Sequence, residues 1–185
     1  LLLTFTRRAA AEMLKRVEAI LSQLDPAVMK DPAACQRTAI RRLRGGTFHS
    51  VATNLLRRHG HLIGLHPDFT ILDRGDSEDL MNLARSQLNL PKSGNRFPLK
   101  ATCLDIYSRC VNTQCSLEVV LRKWFPWCME HQEQLGNLFT NFSETKEKQR
   151  VLDFDDLLLF WNALVDDEQA GPIVRQQFSR ILVDE

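Results

Sequence analysis

Two short apolar runs, Leu1-Leu2-Leu3-Thr4-Phe5 at one end and Ile181-Leu182-Val183 at the other, constrain this chain more than anything between them. Continuous apolar runs of this length form strands buried on both faces, and such strands belong in parallel sheets covered by helices. The first run is therefore not an edge, and both runs need neighbours. A full set of flanking strands and covering helices is not evident in the sequence, so the expectation is a fragment of a larger α/β protein.

Between the runs the spacing is helical. Thr6 is placed to cap a helix carrying Met13, Val17, Ile20, Leu21 and Leu24, ended by Asp25-Pro26. Leu43 to Gly46 reads as a third strand entering a helix with Phe48, Val51, Ala52, Leu55 and Leu56 on one face. Phe69 to Leu72 is a short strand or extended link, and Asp76, Glu78 and Asp79 fall in the first turn of a helix running to about Leu88. Pro91 to Pro98 is a polar loop. Helices are expected at 99–113, from Ser116 with Leu117, Val120, Leu121 and Trp124 on a face, and after Pro126. Ile173, Val174 and Phe178 suit a short helix after Gly171-Pro172. Only 8 Gly and 7 Pro punctuate 185 residues, and Leu far outnumbers Val and Ile, so the chain is predominantly helical.

The composition, 44% hydrophobic and 25% charged, is that of a soluble core-forming chain, and no apolar run reaches the ~20 residues that span a membrane. No signal-peptide pattern is present, and five Cys is an odd count in a chain large enough to fold without staples, so a cytoplasmic location is expected. A net charge of +1 excludes a uniformly basic coat protein or an acidic tail. That total hides a gradient. Residues 1–66 hold 11 basic and 4 acidic side chains, the middle is balanced, and residues 151–185 hold 2 basic and 8 acidic. The first third is suited to an anionic partner and the last to helix caps or cations.

Thr4-Phe5-Thr6-Arg7-Arg8 places hydroxyls, a ring and two guanidiniums where a strand ends and a helix begins. Open α/β sheets bind ligands there, since helix N-H groups and Arg meet phosphate and a ring stacks on a base. Gly45-Gly46-Thr47-Phe48-His49-Ser50 repeats the arrangement within the basic third. Each segment is also an ordinary strand-to-helix turn.

Thr-Phe-Thr-x-x-Ala-Ala-x-Glu-Met from Thr4, Gly-Thr-Phe-His-Ser from Gly46, Asp153-Phe154-Asp155-Asp156-Leu157-Leu158 and Ile181-Leu182-Val183-Asp184-Glu185 occur in that order. The ordered set resembles the UvrD/Rep/PcrA-like superfamily 1 DNA helicases. The resemblance implies a partial P-loop NTPase (RecA-like) parallel-sheet core, at 1–75 and 151–185, interrupted by a helical insertion at 76–150. It implies that Phe5, Thr6, Arg7, Arg8, Thr47, Phe48, His49 and Ser50 meet single-stranded DNA. The closing Val-Asp-Glu is similar to a Walker B motif, in which Asp184 would organise Mg²⁺ and Glu185 would polarise the water that attacks ATP. It further implies 3′ to 5′ movement, duplex-junction DNA as a second partner, and missing motor-domain segments of a parent chain.

Where the family often has Asn-Lys, this chain has Arg7-Arg8, and no G-x-x-x-x-G-K-[ST] loop occurs anywhere in it. The chain as given is thus expected not to hydrolyse ATP by itself. The competing readings are a non-catalytic single-stranded DNA-binding or scaffolding relative, and a helical interaction module whose motif matches are coincidental.

Asp153, Asp155 and Asp156 are read as the cap and first turn of a helix with Phe154, Leu157, Leu158, Trp161 and Val165 on its face, in preference to a metal site. Cys103, Cys110, Cys115 and Cys128 match no common iron-sulfur spacing and are read as buried thiols. His59, His61 and His66 are read as helix C-terminal cations in preference to metal ligands.

Overall fold

The computed structural model describes residues 1–22, 44–88 and 96–184. The expected helix end at Asp25-Pro26, the strand start at Leu43, most of the Pro91 to Pro98 loop and Glu185 lie outside the described residues. The chain divides into two compact units, Leu1–Leu65 with Phe160–Glu185, and His66–Leu159.

The first unit is built on three parallel strands in the order β2-β1-β5, with β1 at Leu2–Thr4, β2 at Gly45–Thr47 and β5 at Leu182–Asp184. β1 is central, and Leu2, Leu3 and Thr4 are buried, as a strand covered on both faces should be. The two terminal runs are each other's neighbours, with Leu3 abreast of Val183. β5 nevertheless corrects the expectation of a second buried strand: Ile181, Leu182 and Val183 are 58%, 63% and 56% exposed. Among the described residues β5 is hydrogen-bonded along one side only, and an apolar run stays exposed where nothing packs on it.

Helix α1 (Arg7–Ser22) follows β1, and α2 (Phe48–His59) follows β2. α2 buries Val51, Ala52, Leu55 and Leu56, the expected face. In α1, among the residues whose side chains are described, Ala10 is buried and Ile20 is exposed. A 3₁₀ turn at Gly60–Ile63 closes on Gly64, whose φ of 80° favours glycine. His59 lies in the last turn of α2, as expected of a helix C-terminal basic residue; its Nε2 faces the Gln177 amide at 2.9 Å, and burial, Arg58 and His61 lower its pKa.

In the second unit, β3 (Thr70–Ile71) pairs in parallel with β4 (Val151–Leu152), and α3 (Arg74–Ser86), α4 (Lys100–Thr113), α5 (Leu117–Trp124) and α6 (Gln132–Gln149) enclose a core. Met81, Ile106, Leu121, Leu135, Leu138 and Phe142 are fully buried there. A 3₁₀ segment, Pro126–His131, precedes α6, since Pro126 cannot donate to the helix before it. Asp73 caps α3 by accepting the Asp76 amide at 2.9 Å. Of the three acids expected in that first turn only Asp76 falls within it; Glu78 and Asp79 instead pair with Arg74 and Lys100.

α7 (Phe154–Asp166) passes through the division between the units, and α8 (Ala170–Arg175) belongs to the first. Of the expected α7 face, Leu157 is fully buried and Leu158, Trp161 and Val165 are partly buried; Phe154 is exposed, and Leu164, two turns from Leu157, is fully buried in addition.

Candidate nucleic-acid interface

The strand register assembles the site. Thr4 lies abreast of Thr47 on one side and Asp184 on the other, so the carboxyl ends of all three strands stop in one row. Strands about 4.8 Å apart place the three residues along roughly 10 Å of sheet edge. Phe5 and Thr6 follow β1, and Phe48 and His49 follow β2, so all four continue from the same edge.

At both junctions a threonine starts the helix. Thr6 Oγ1 accepts the Ala9 amide at 3.1 Å, and Thr47 Oγ1 accepts the Ser50 amide at 3.3 Å. Ser50 returns the bond, its Oγ donating to the Thr47 carbonyl at 2.8 Å. A side chain at Gly46 would put Cβ 2.5 Å from Ser50 Oγ, so glycine is what lets the turn close. A hydroxyl that accepts an amide N-H keeps its own hydrogen, so both threonines remain able to donate to an anion in front of the helix. The amides of Arg7 and Arg8 begin α1 and have no intrahelical acceptor.

Neither α1 nor α2 has an acid in its first turn. Arg7 and Arg8, both exposed, stand where the helix dipole disfavours cations by about 0.3–1 kcal/mol each. Two cations held against that cost suit an edge that meets negative charge. Phe5, beside them, is 66% exposed, and its ring lies 5.0 Å from that of Phe48 at 41°. Phe48 in turn lies 6.4 Å from Trp161 of α7, whose ring N-H is buried and has no hydrogen-bond partner among the described residues. Sequence reading placed Trp161 only on an apolar face; what it missed is a three-ring tier, because stacking between separate elements leaves no periodic signal.

Asp184 is exposed at the end of β5, without an ion-pair partner among the described residues. A carboxylate so placed suits a hydrated Mg²⁺. Glu185 lies outside the described residues.

The second acidic cluster is of another kind. Asp153 and Asp156 cap α7 reciprocally, the Asp156 amide donating to Asp153 Oδ1 at 2.9 Å and the Asp153 amide to Asp156 Oδ2 at 3.0 Å. Lys146 of α6 is 4% exposed and reaches both carboxylates, at 2.7 and 2.6 Å. Burial acts to lower the Lys146 pKa, but Asp156, Tyr107 and Asp153 together raise it. Burial raises the Asp156 carboxyl against the pull of Lys146. Asp155 accepts from Ser108 Oγ and from Asn112 at 2.9 Å. All three carboxylates therefore have protein partners. Cys103, Cys110, Cys115 and Cys128 are free, and burial pushes the Cys103 thiol up to about 12. Among the described residues no three His, Cys, Asp or Glu converge as metal ligands, and no helix is long and apolar enough to cross a membrane.

A parallel sheet whose carboxyl edge carries hydroxyls, an exposed ring and cations, with helices following its strands, defines an α/β protein. The chain belongs to the UvrD/REP helicase N-terminal domain family, which it matches over residues 1–185. It is 29% identical to the ATP-dependent DNA helicase PcrA of Leuconostoc citreum over 100% of the chain and 22% of that protein. It is 30% identical to DNA helicase II of Haemophilus influenzae over 98% of the chain and 23% of that protein. With the ATP-dependent DNA helicase SRS2 of Saccharomyces cerevisiae the identity is 25%, over 98% of the chain and 15% of that protein. The chain thus spans less than a quarter of the length of these relatives.

Proposed function

We propose that this chain is the part of an ATP-dependent DNA helicase that grips single-stranded DNA at the carboxyl edge of a RecA-like sheet. The observation that carries the reading is the register of β2, β1 and β5, which lines up Thr47, Thr4 and Asp184 with Phe5 exposed beside them. Bases stack on Phe5, supported by Phe48. Phosphates meet the hydroxyls of Thr6, Thr47 and Ser50, the imidazole of His49, the guanidiniums of Arg7 and Arg8 and the first amides of α1. None of these contacts reads a base edge, so the grip is tolerant of sequence.

Asp184 would hold Mg²⁺ and Glu185 would orient a water; the metal and ATP supply the phosphoryl chemistry when bound. The sequence contains no Gly-rich phosphate cradle, so the chain alone does not hydrolyse ATP. Residues of the first unit serve as the motor core and those of the second as its helical insertion. In the working protein, remaining motor segments complete a cycle that moves 3′ to 5′ and opens duplex at a junction, in a cytoplasmic setting consistent with free thiols.

Fluorescence anisotropy with a labelled oligo-dT at low salt tests the grip. The chain is expected to bind, and affinity is expected to fall with salt as counterions are released. Phe5→Ala should weaken binding by roughly 5- to 100-fold, the worth of one base stacked on a ring. His49→Ala should weaken it less. Absence of binding at low salt would overturn the reading.

A further inference from the structure

The three-ring tier assigns a role to a residue outside the DNA-facing segments. Phe5 is two-thirds exposed and directly follows the three-residue strand β1. The ring it touches, Phe48, is half-buried and is backed by Trp161, which comes from α7, far along the chain. Leu157 and Leu164, the fully buried residues of α7, lie on either side of Trp161 in sequence and anchor the helix that presents it. The indole N-H makes no hydrogen bond among the described residues, so ring contact and packing are what fix Trp161.

We propose that Trp161 is a positioning residue for single-stranded DNA: it backs Phe48, which holds Phe5 at the tilt that receives a base. The proposal rests on the DNA-gripping reading above and extends it to a third ring that contacts no nucleic acid. A base stacking on an exposed ring must immobilise it, and a ring already braced loses less freedom on binding. Trp161 therefore acts on affinity through Phe5, without meeting phosphate.

Oligo-dT binding by the intact polypeptide that carries this chain tests the idea, with Trp161→Leu as the main variant because it keeps apolar bulk in α7. Trp161→Leu is expected to weaken binding about 3- to 10-fold and Trp161→Phe to restore it to within about 2-fold, a modest share of one stacking contact. In the Phe5→Ala background, Trp161→Leu should cost nothing further, since its effect passes through the missing ring. The slope of log affinity against log salt should stay at the parent value, because no phosphate contact is lost. A merely structural role would leave the Phe5→Ala background still sensitive to Trp161→Leu, and that result overturns the proposal. So does parent-like affinity in Trp161→Leu while Phe5→Ala binds weakly; this outcome leaves the DNA reading standing. If the unsubstituted protein binds no oligo-dT, the DNA reading and the proposal fall together.

Discussion

Helices of the two units begin differently. In the second unit α3, α5 and α6 carry an acid in the first turn, α4 alone opening without one on Lys100, and α7, which starts there, carries Asp155 and Asp156. In the first unit α1 and α2 carry none; they open on threonine caps, followed by arginines in α1 and His49 in α2. Acids at a helix start satisfy the dipole from within the chain, whereas hydroxyls and cations leave the positive end open to an outside anion. On the proposed DNA-gripping function, the contrast separates helices arranged for their own stability from helices arranged for a ligand.

Lys146→Met presses hardest on that contrast. It strands Asp153 and Asp156, 6% exposed each, without their counter-ion, and denaturant unfolding should show a loss of about 3–5 kcal/mol. A loss under ~1 kcal/mol would mean the second unit is not internally balanced after all. The pH sense follows from the raised Lys146 pKa: its contribution is fully present below the ordinary 10.5 and fades as pH rises beyond it, so the variant should lack the parent's alkaline loss of stability.

Next in size is a pair within the sheet. Leu3→Ala, in the covered central strand, should cost about 2–4 kcal/mol, while Val183→Thr, abreast of it in exposed β5, should change stability by less than ~0.5 kcal/mol. Equal effects in thermal melts would show that β5 is covered in solution. The smallest change is the most direct exchange of ligand for stability. Thr6→Asp gives α1 the acidic start used in the second unit and should stabilise by a few tenths of a kcal/mol. The same substitution should weaken oligo-dT binding several-fold at low salt, because it places a carboxylate where phosphate would sit. Unchanged affinity would remove Thr6 from the interface.

Local chemistry was the legible part. The caps at Thr6, Ser116 and Asp153 and the buried face of α2 depend on residues within a few positions of one another, and the pattern displays them. What could not be read involved partners from separate elements. Lys146 looks like any solvent-facing lysine until the chain folds its ammonium onto two carboxylates of the next helix. Trp161 looks like one more apolar residue on α7 until Phe48 arrives from the other end of the chain. The exposure of β5 was missed for the opposite reason: hydrophobicity tells what a strand favours as a neighbour, not whether the neighbour is there.

The pairing of β1 with β5 also sets a timetable. Leu2 meets Leu182, so the central strand cannot complete its hydrogen bonds on that side until the long stretch between them has been synthesised. The helical unit at His66–Leu159 draws on contacts internal to one continuous stretch and can consolidate first. Closing the sheet then pairs two strands separated by a stretch already folded, at less entropic cost than across a loose loop of the same length.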